Sequence, residues 1–320
     1  MIRSLYRIFK RLGGMVTYVF LLVLRCPVDT VLCIINALFL KGVFQTMEAG
    51  DLAGLQESCL KFVIANFCLF FYNGIVWSEF AMFSARFTAK LRSYVFDSVF
   101  LLPLEKIEEK TNGAWLTRMN SDVRMTLNLL TGALNIPHAV FAIVRITVSS
   151  ILLGTICPEL LAAELAILLP HVFLRQNLVV RPMERLIKKA QEHTEQTTVY
   201  LSAMVECADT VRLYEADQLL LERYRESSLC VVRARLQMNL RKAFGELLHP
   251  LLGRGGYLLL FFLGCEMIQS GKMEFGTLTA AFQYRGAMLM GSMMLLNSLA
   301  EVKKNSVGLK RMEEIYGAEE

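Results

Sequence analysis

The chain has 320 residues, 54% of them hydrophobic and 20% charged, with a formal net charge of +5, and its mean hydropathy is +0.43. An average soluble chain is about 45–50% apolar and about 25% charged. This composition excludes a disordered or collagen-like chain, argues against a soluble one, and leaves too little net charge for a nucleic-acid partner. The apolar residues gather in long runs, as a lipid-embedded chain requires. Cys26, Cys33, Cys68 and Cys265 fall inside those runs and read as small hydrophobes. With no CxxC and no Cys/His cluster, neither a metal site nor a disulfide framework is expected.

Residues 1–14 read as an amphipathic helix. Ile2, Leu5, Phe9 and Leu12 share one face, and Arg3, Arg7 and Lys10 share another. Such a helix is expected to lie in the headgroup plane. A signal peptide is rejected, because the following apolar region is too long, Arg25 interrupts it, and it lacks a small-residue cleavage site. Six stretches come near the roughly 20 apolar residues of a bilayer span: 16–44, 62–83, 136–157, 160–180, 247–268 and 275–300. The first carries Arg25, Pro27 and Asp29, and the fourth carries Glu164 and Pro170. Lipid cannot satisfy an open strand edge, so the expected fold is an all-α membrane protein with six transmembrane helices and long cytoplasmic helical extensions.

Of the 34 Lys and Arg residues, 27 lie in the segments 1–14, 84–132, 175–245 and 301–320, whereas the opposite loops hold only Lys41, Lys61 and Lys272. The positive-inside rule then puts both termini and both long loops in the cytoplasm, with the spans in the plasma (inner) membrane. The outer connections are short, at 45–61, at Pro158 and Glu159, and at 269–274. The inner regions are long and helical in composition. Residues 61–102 hold no proline and one glycine, Gly74, so a helix there could reach about 60 Å, roughly twice the bilayer core. Residues 183–237 hold no proline or glycine. Spans two to five are thus expected to be long helices joined in pairs at cytoplasmic tips. Pro103 and then Thr111, Asn112 and Gly113 break the first tip. Arms of this length call for a cytoplasmic partner.

Four stretches carry a resemblance to a known family. The first runs through Leu102, Pro103 and Leu104, then Asn112, Gly113, Ala114, Trp115, Leu116, Thr117, Arg118 and Met119 to Asp122. The second is Thr210, Val211, Arg212, Leu213, Tyr214, Glu215, Ala216 and Asp217. The third begins Gly271, Lys272, Met273, Glu274, Phe275 and Gly276, and the fourth is Gly308, Leu309, Lys310, Arg311 and Met312 through Tyr316. In order and spacing they resemble the transmembrane domain of type I, six-helix ATP-binding cassette (ABC) exporters. The resemblance implies an exporter-type transmembrane domain over 15–302, an exit segment over 303–320, and 1–14 as the interfacial helix. The sequence departs from the family's pattern at Cys207, where the family usually has glycine, and at Ala203, where it often has an acid. It contains no GxxxxGK[ST] and no Leu-Ser-Gly-Gly. The nearest match, around Ser270, Gly271 and Lys272, has Glu266 for the first glycine and Met273 for the Mg²⁺-binding hydroxyl.

The resemblance implies a membrane-spanning subunit that forms half of a translocation pathway. It would pair with a second six-helix half as a homo- or heterodimer, and a nucleotide-binding subunit would power it. No catalytic residue or cofactor is expected in this chain, since Mg-ATP would be bound by the partner. The coupling contacts would be Asn112, Gly113, Ala114, Trp115 and Leu116 at the first tip, with Trp115 as an exposed anchor. At the second tip they would be Asp209, Thr210, Val211, Arg212, Leu213 and Tyr214. Charges inside spans are expensive in lipid. Arg25, Asp29, Arg145, Arg254 and Arg285 are therefore candidate cavity charges for a small amphiphile, lipid or peptide substrate, or else interhelical pairs. Met288, Met290, Met293 and Met294 suit either an adaptable binding surface or ordinary packing. Isolated histidines without HExxH or GxSxG argue against an intramembrane enzyme, and uninterrupted spans argue against a secondary transporter. The alternative inside the family is a truncated or uncoupled half, kept as a regulator or a relic.

Overall fold

The computed structural model describes residues 2–101, 103–108, 115, 118–132 and 135–316. Among the described residues all regular structure is helical: α1 (Ile2–Leu12), α2 (Met15–Arg25), α3 (Val28–Glu48), α4 (Leu52–Phe100), α5 (Leu104–Glu108), a π turn (Arg118–Asp122), α6 (Val123–Thr131), α7 (Ile136–Ile156), α8 (Pro158–Arg175), a second π turn (Gln176–Val180), α9 (Arg181–Glu206), α10 (Ala208–Leu213), α11 (Asp217–Gln269) and α12 (Phe275–Tyr316). Four stretches, Met15–Glu48, Leu52–Phe100, Met119–Ile156 and Pro158–Glu206, are long and apolar enough to cross a membrane. The fifth and sixth apolar stretches of the sequence lie within α11 and α12.

The helices run well beyond their apolar stretches, because local caps rather than hydropathy end them. The 45–61 connection shrinks to three residues, 49–51. Asp51 N–H reaches Thr46 O at 3.0 Å and Gly50 N–H reaches Met47 O at 3.1 Å, with Gly50 at φ 67°. This is a Schellman closure. The Asp51 carboxylate then caps α4 by accepting from Ala53 N–H at 3.1 Å. Gly271 closes α11 in the same way at φ 69°. The 16–44 stretch is two helices, interrupted at Cys26 and Pro27, since Pro27 has no N–H to continue the ladder.

The chain divides into two compact units, Met1–Leu161 with Gly264–Glu320, and Ala162–Leu263. In the first, α12 packs against α7, α3 and α6, and α3 packs on α4. Fully buried Ala37, Ala142 and Ala281 let these backbones approach, as membrane helix packing favours. Leu91, Leu129, Leu309 and Met312 form the heart of a cluster that ties α4, α6 and α12 together. The apolar face of α1 is covered by protein rather than turned to headgroups. Leu5, Ile8 and Phe9 are buried in that cluster, with the Phe9 ring 5.1 Å from Phe87 and 5.2 Å from Tyr18. The chain's own aromatic surface on α2 and α4 takes the place expected for lipid.

In the second unit, α9 and α11 run antiparallel. Thr197 Oγ1 and Ser227 Oγ share a hydrogen bond of 2.8 Å. Nearer the base, Arg241 Nη1 donates to Leu178 O at 3.4 Å. Pro182 cannot donate to that carbonyl, and the π turn before it is closed by Arg181 N–H bonding Gln176 O. The guanidinium thus adds a donor to a carbonyl that Pro182 cannot serve.

Candidate coupling site

Between α9 and α11 the chain reverses through α10, none of whose residues is buried. Ala216 N–H bonds Val211 O at 3.0 Å and Glu215 N–H bonds Arg212 O at 3.2 Å. That is again a Schellman closure, but its left-handed position is held by Glu215 at φ 50°, without the glycine that serves the other two. The turn pushes Leu213 and Tyr214 outward, leaving them 78% and 75% exposed. Asp209, Thr210 and Arg212 are exposed beside them, and Val211 is half-buried. All six residues assigned to the second tip thus sit on one projecting turn. Cys207, where the family's glycine was expected, has φ −107°, a conformation open to any residue.

The first tip differs from its expectation. Asn112, Gly113, Ala114 and Leu116 lie outside the described residues. Trp115 is described, and it is buried, at 9% exposure, in the cluster that holds α1, α4 and α12. Its Nε1–H donates to Ile107 O at 3.0 Å. The expected exposed anchor is corrected: a large ring with one donor is satisfied by the core and a nearby carbonyl.

Around Trp115 the sequence's first and fourth stretches meet. Asp122, at the end of the first π turn, is fully buried. Arg311 of α12 brings Nη1 to 3.7 Å from Asp122 Oδ1. A Cβ on Gly308 would fall 2.6 Å from Met125 Cβ and 3.1 Å from Asp122 O, so only glycine lets α12 lie this close. One helical turn back, Asn305 Nδ2 donates to Asn135 Oδ1 at 3.1 Å in a buried bond. From the other side, Ser4 donates to Glu313, and Arg7 Nη2 stands 3.8 Å from the same carboxylate. The exit end of α12 is thereby fastened to α1, the first loop and the start of α7. The sequence reading contained Asp122 and Arg311 as motif residues but did not pair them.

The charges inside the spans are only partly gathered. The Arg25 guanidinium lies over Trp77, 4.0 Å from the ring centroid, with Phe80 at 5.2 Å. Arg25 and Asp29 both act electrostatically on His138. Cys33 Sγ donates to Gln283 O at 3.5 Å, one residue before buried Tyr284 and two before buried Arg285. Arg254 belongs to the other unit and is exposed. Cys33 and Tyr284, both buried, were missed as polar partners because nothing local marks a buried residue as facing another helix. Of the methionines, Met288 is fully buried and Met290 is exposed.

The family model for the ABC transporter transmembrane region matches residues 15–293. The chain belongs to this family. A search of curated proteins finds no match. The ABC transmembrane match begins just after α1 and ends within α12. It makes the protein an all-α integral membrane protein of ABC transporter type, for which an ATPase domain or a dimer mate is the usual partner.

Proposed function

We propose that this ABC transmembrane chain is the membrane-spanning half of an ATP-driven exporter. It lines part of a translocation pathway and receives its power stroke at the turn of α10. Leu213 and Tyr214 carry the reading, as an apolar and an aromatic side chain set out in solvent at the end of two long helices. Such residues suit a desolvated anchor in a partner's pocket. The partner is an ATPase subunit that binds Mg-ATP, and this chain itself performs no catalysis. Coupling at the first loop, with 112–116, reaches α12 through Asp122 and Arg311. Closure of the ATPase domains would then drive a rigid-body gating of packed helices. The basic loops support a plasma (inner) membrane placement with both termini cytoplasmic.

A second six-helix half is part of the reading. On α11, Leu229, Val232, Leu236, Leu240, Leu247 and Leu251 are all exposed and recur at helical spacing down one side. A continuous apolar stripe of this kind marks an interface. The uncoupled alternative rested on Ala203, on Cys207 and on the missing ATPase motifs; of these, the backbone at 207 asks for no glycine. The polar groups on α3, α7 and α12 support a polar or charged amphiphile as substrate.

The test is purification of the tagged chain from native membranes in mild detergent with Mg-ATP, followed by mass spectrometry and an ATPase assay. A co-purifying P-loop chain with ATPase activity, lost with Leu213→Asp and Tyr214→Ala but kept with Leu236→Asp and Leu240→Asp, is the expected result. The stripe variant is expected to lose the second transmembrane half instead. Recovery of no P-loop chain under any condition would overturn the reading.

A further inference from the structure

A groove of about 360 Å³ runs between α2 and α4. Its walls include Phe20, Leu24, Ile75, Val76, Met82 and Phe83, and Arg86 stands at one end. Phe20 and Ile75 are 60% and 65% exposed, so the groove is open along its length. The mouth at Arg86 is built by the elbow between α1 and α2. Gly13 and Gly14 have φ 73° and 85°, and a Cβ on Gly14 would press to 3.3 Å from Phe83 Cε2. This elbow brings the end of α1 over α4, where Arg11 Nη1 donates to Tyr94 OH at 2.7 Å. Arg86, Lys90 and Tyr94 follow one another at four-residue steps, so they share a face of α4. Arg86 and Lys90 are exposed and make no ion pair among the described residues. Arg86 thus lines one end of an apolar groove in a chain that spans a bilayer, and Lys90 and then Arg11, held at Tyr94, follow at successive turns along the same face of α4.

We propose that this groove holds an anionic phospholipid, with an acyl chain between α2 and α4 and the phosphate on Arg11, Arg86 and Lys90. Basic pockets at the membrane surface select anionic headgroups, and the apolar walls supply what a soluble phosphate could not use. Glu79 lines the same groove two helical turns deeper, about 10 Å along the axis from Arg86. Its carboxylate repels an anionic head that sinks further, so it sets the depth of the phosphate. The site lies within the first unit, and the proposal does not depend on ATP coupling.

The test uses the full chain in a neutral detergent with equal amounts of phosphatidylglycerol and phosphatidylcholine, and native mass spectrometry counts retained lipid. Wild type is expected to retain the anionic lipid at least about fivefold over the neutral one, the scale of one surface cation. Arg86→Gln with Lys90→Gln is expected to bring the ratio near parity, and Arg86→Lys with Lys90→Arg to keep it. Lys61→Gln, at the far end of α4, is expected to leave it unchanged. If the double variant fails to elute as a folded species, Arg11→Gln alone is expected to lower the ratio. Parity in wild type, preference for phosphatidylcholine, or an equal fall with Lys61→Gln would overturn the proposal.

Discussion

Glu215 holds φ 50° at the tip of the α9/α11 pair, where an L residue costs about 1–2 kcal/mol that glycine does not. Glu215→Gly is therefore expected to tighten the turn and slow amide exchange at Glu215 and Ala216 by about fivefold, corresponding to about 1 kcal/mol. Cys207→Gly is expected to do the opposite, because φ −107° already suits cysteine and glycine adds backbone entropy to the unfolded chain. Hydrogen exchange in detergent reads both, and a speeding of exchange by Glu215→Gly would contradict the argument. The strained position was not legible in the sequence. Glycine patterns point to turns, and this turn has none. Trp115 misled in a similar way: a tryptophan inside a polar loop reads as exposed, whereas a distant cluster from α1, α4 and α12 covers it.

At the level of the helices, periodicity and the placement of proline located long elements such as α4 and the break before α8, but read α2 and α3 as one span. The ends were less legible. Apolar content fades before a helix stops, and the capping bonds at Asp51 and Gly50 decide the boundary. The π turns carry no compositional mark, and the pairing of Asp122 with Arg311 joins residues far apart in the chain. That pair is testable as a cycle. Asp122 is buried and Arg311 half-exposed, so removing the cation leaves a carboxylate out of water. Arg311→Gln is expected to lower stability by about 1–3 kcal/mol. Asp122→Asn with Arg311→Gln is expected to cost less than the sum of the single changes. Thermal unfolding of the three variants checks this, and strict additivity would remove the link.

Across the whole molecule, the asymmetry of Lys and Arg predicts an orientation that the exposed cysteines can report. All eight cysteines are free, and Cys59 and Cys207 are both exposed. Cys59 lies near the start of α4, and Cys207 lies just before α10. With cytoplasmic termini, an impermeant maleimide added outside intact cells is expected to label Cys59 and spare Cys207, and inverted vesicles are expected to reverse the pattern. Labelling of Cys207 from outside would invert the topology. Fold class and family could be read from local patterns. The junction at Arg311 and the grouping around Cys33 could not, because they exist only once the helices pack.

Helix α12 has one further consequence. It begins just after the turn at Gly271 and passes without interruption, past Tyr284 and Arg285, to the fastening at Asn305, Arg311 and Glu313. It contains no proline, and about 40 Å of continuous helix separates Tyr284 from Arg311. A rod of this kind stores little twist. An axial rotation of a few degrees imposed at the fastened end arrives at Tyr284 with the same angle and nearly the same phase. The number of residues between the two ends, more than the identity of most of them, then sets which side chains turn inward. Insertion of one residue into that interval would offset the far end by about 100° while leaving both ends chemically intact.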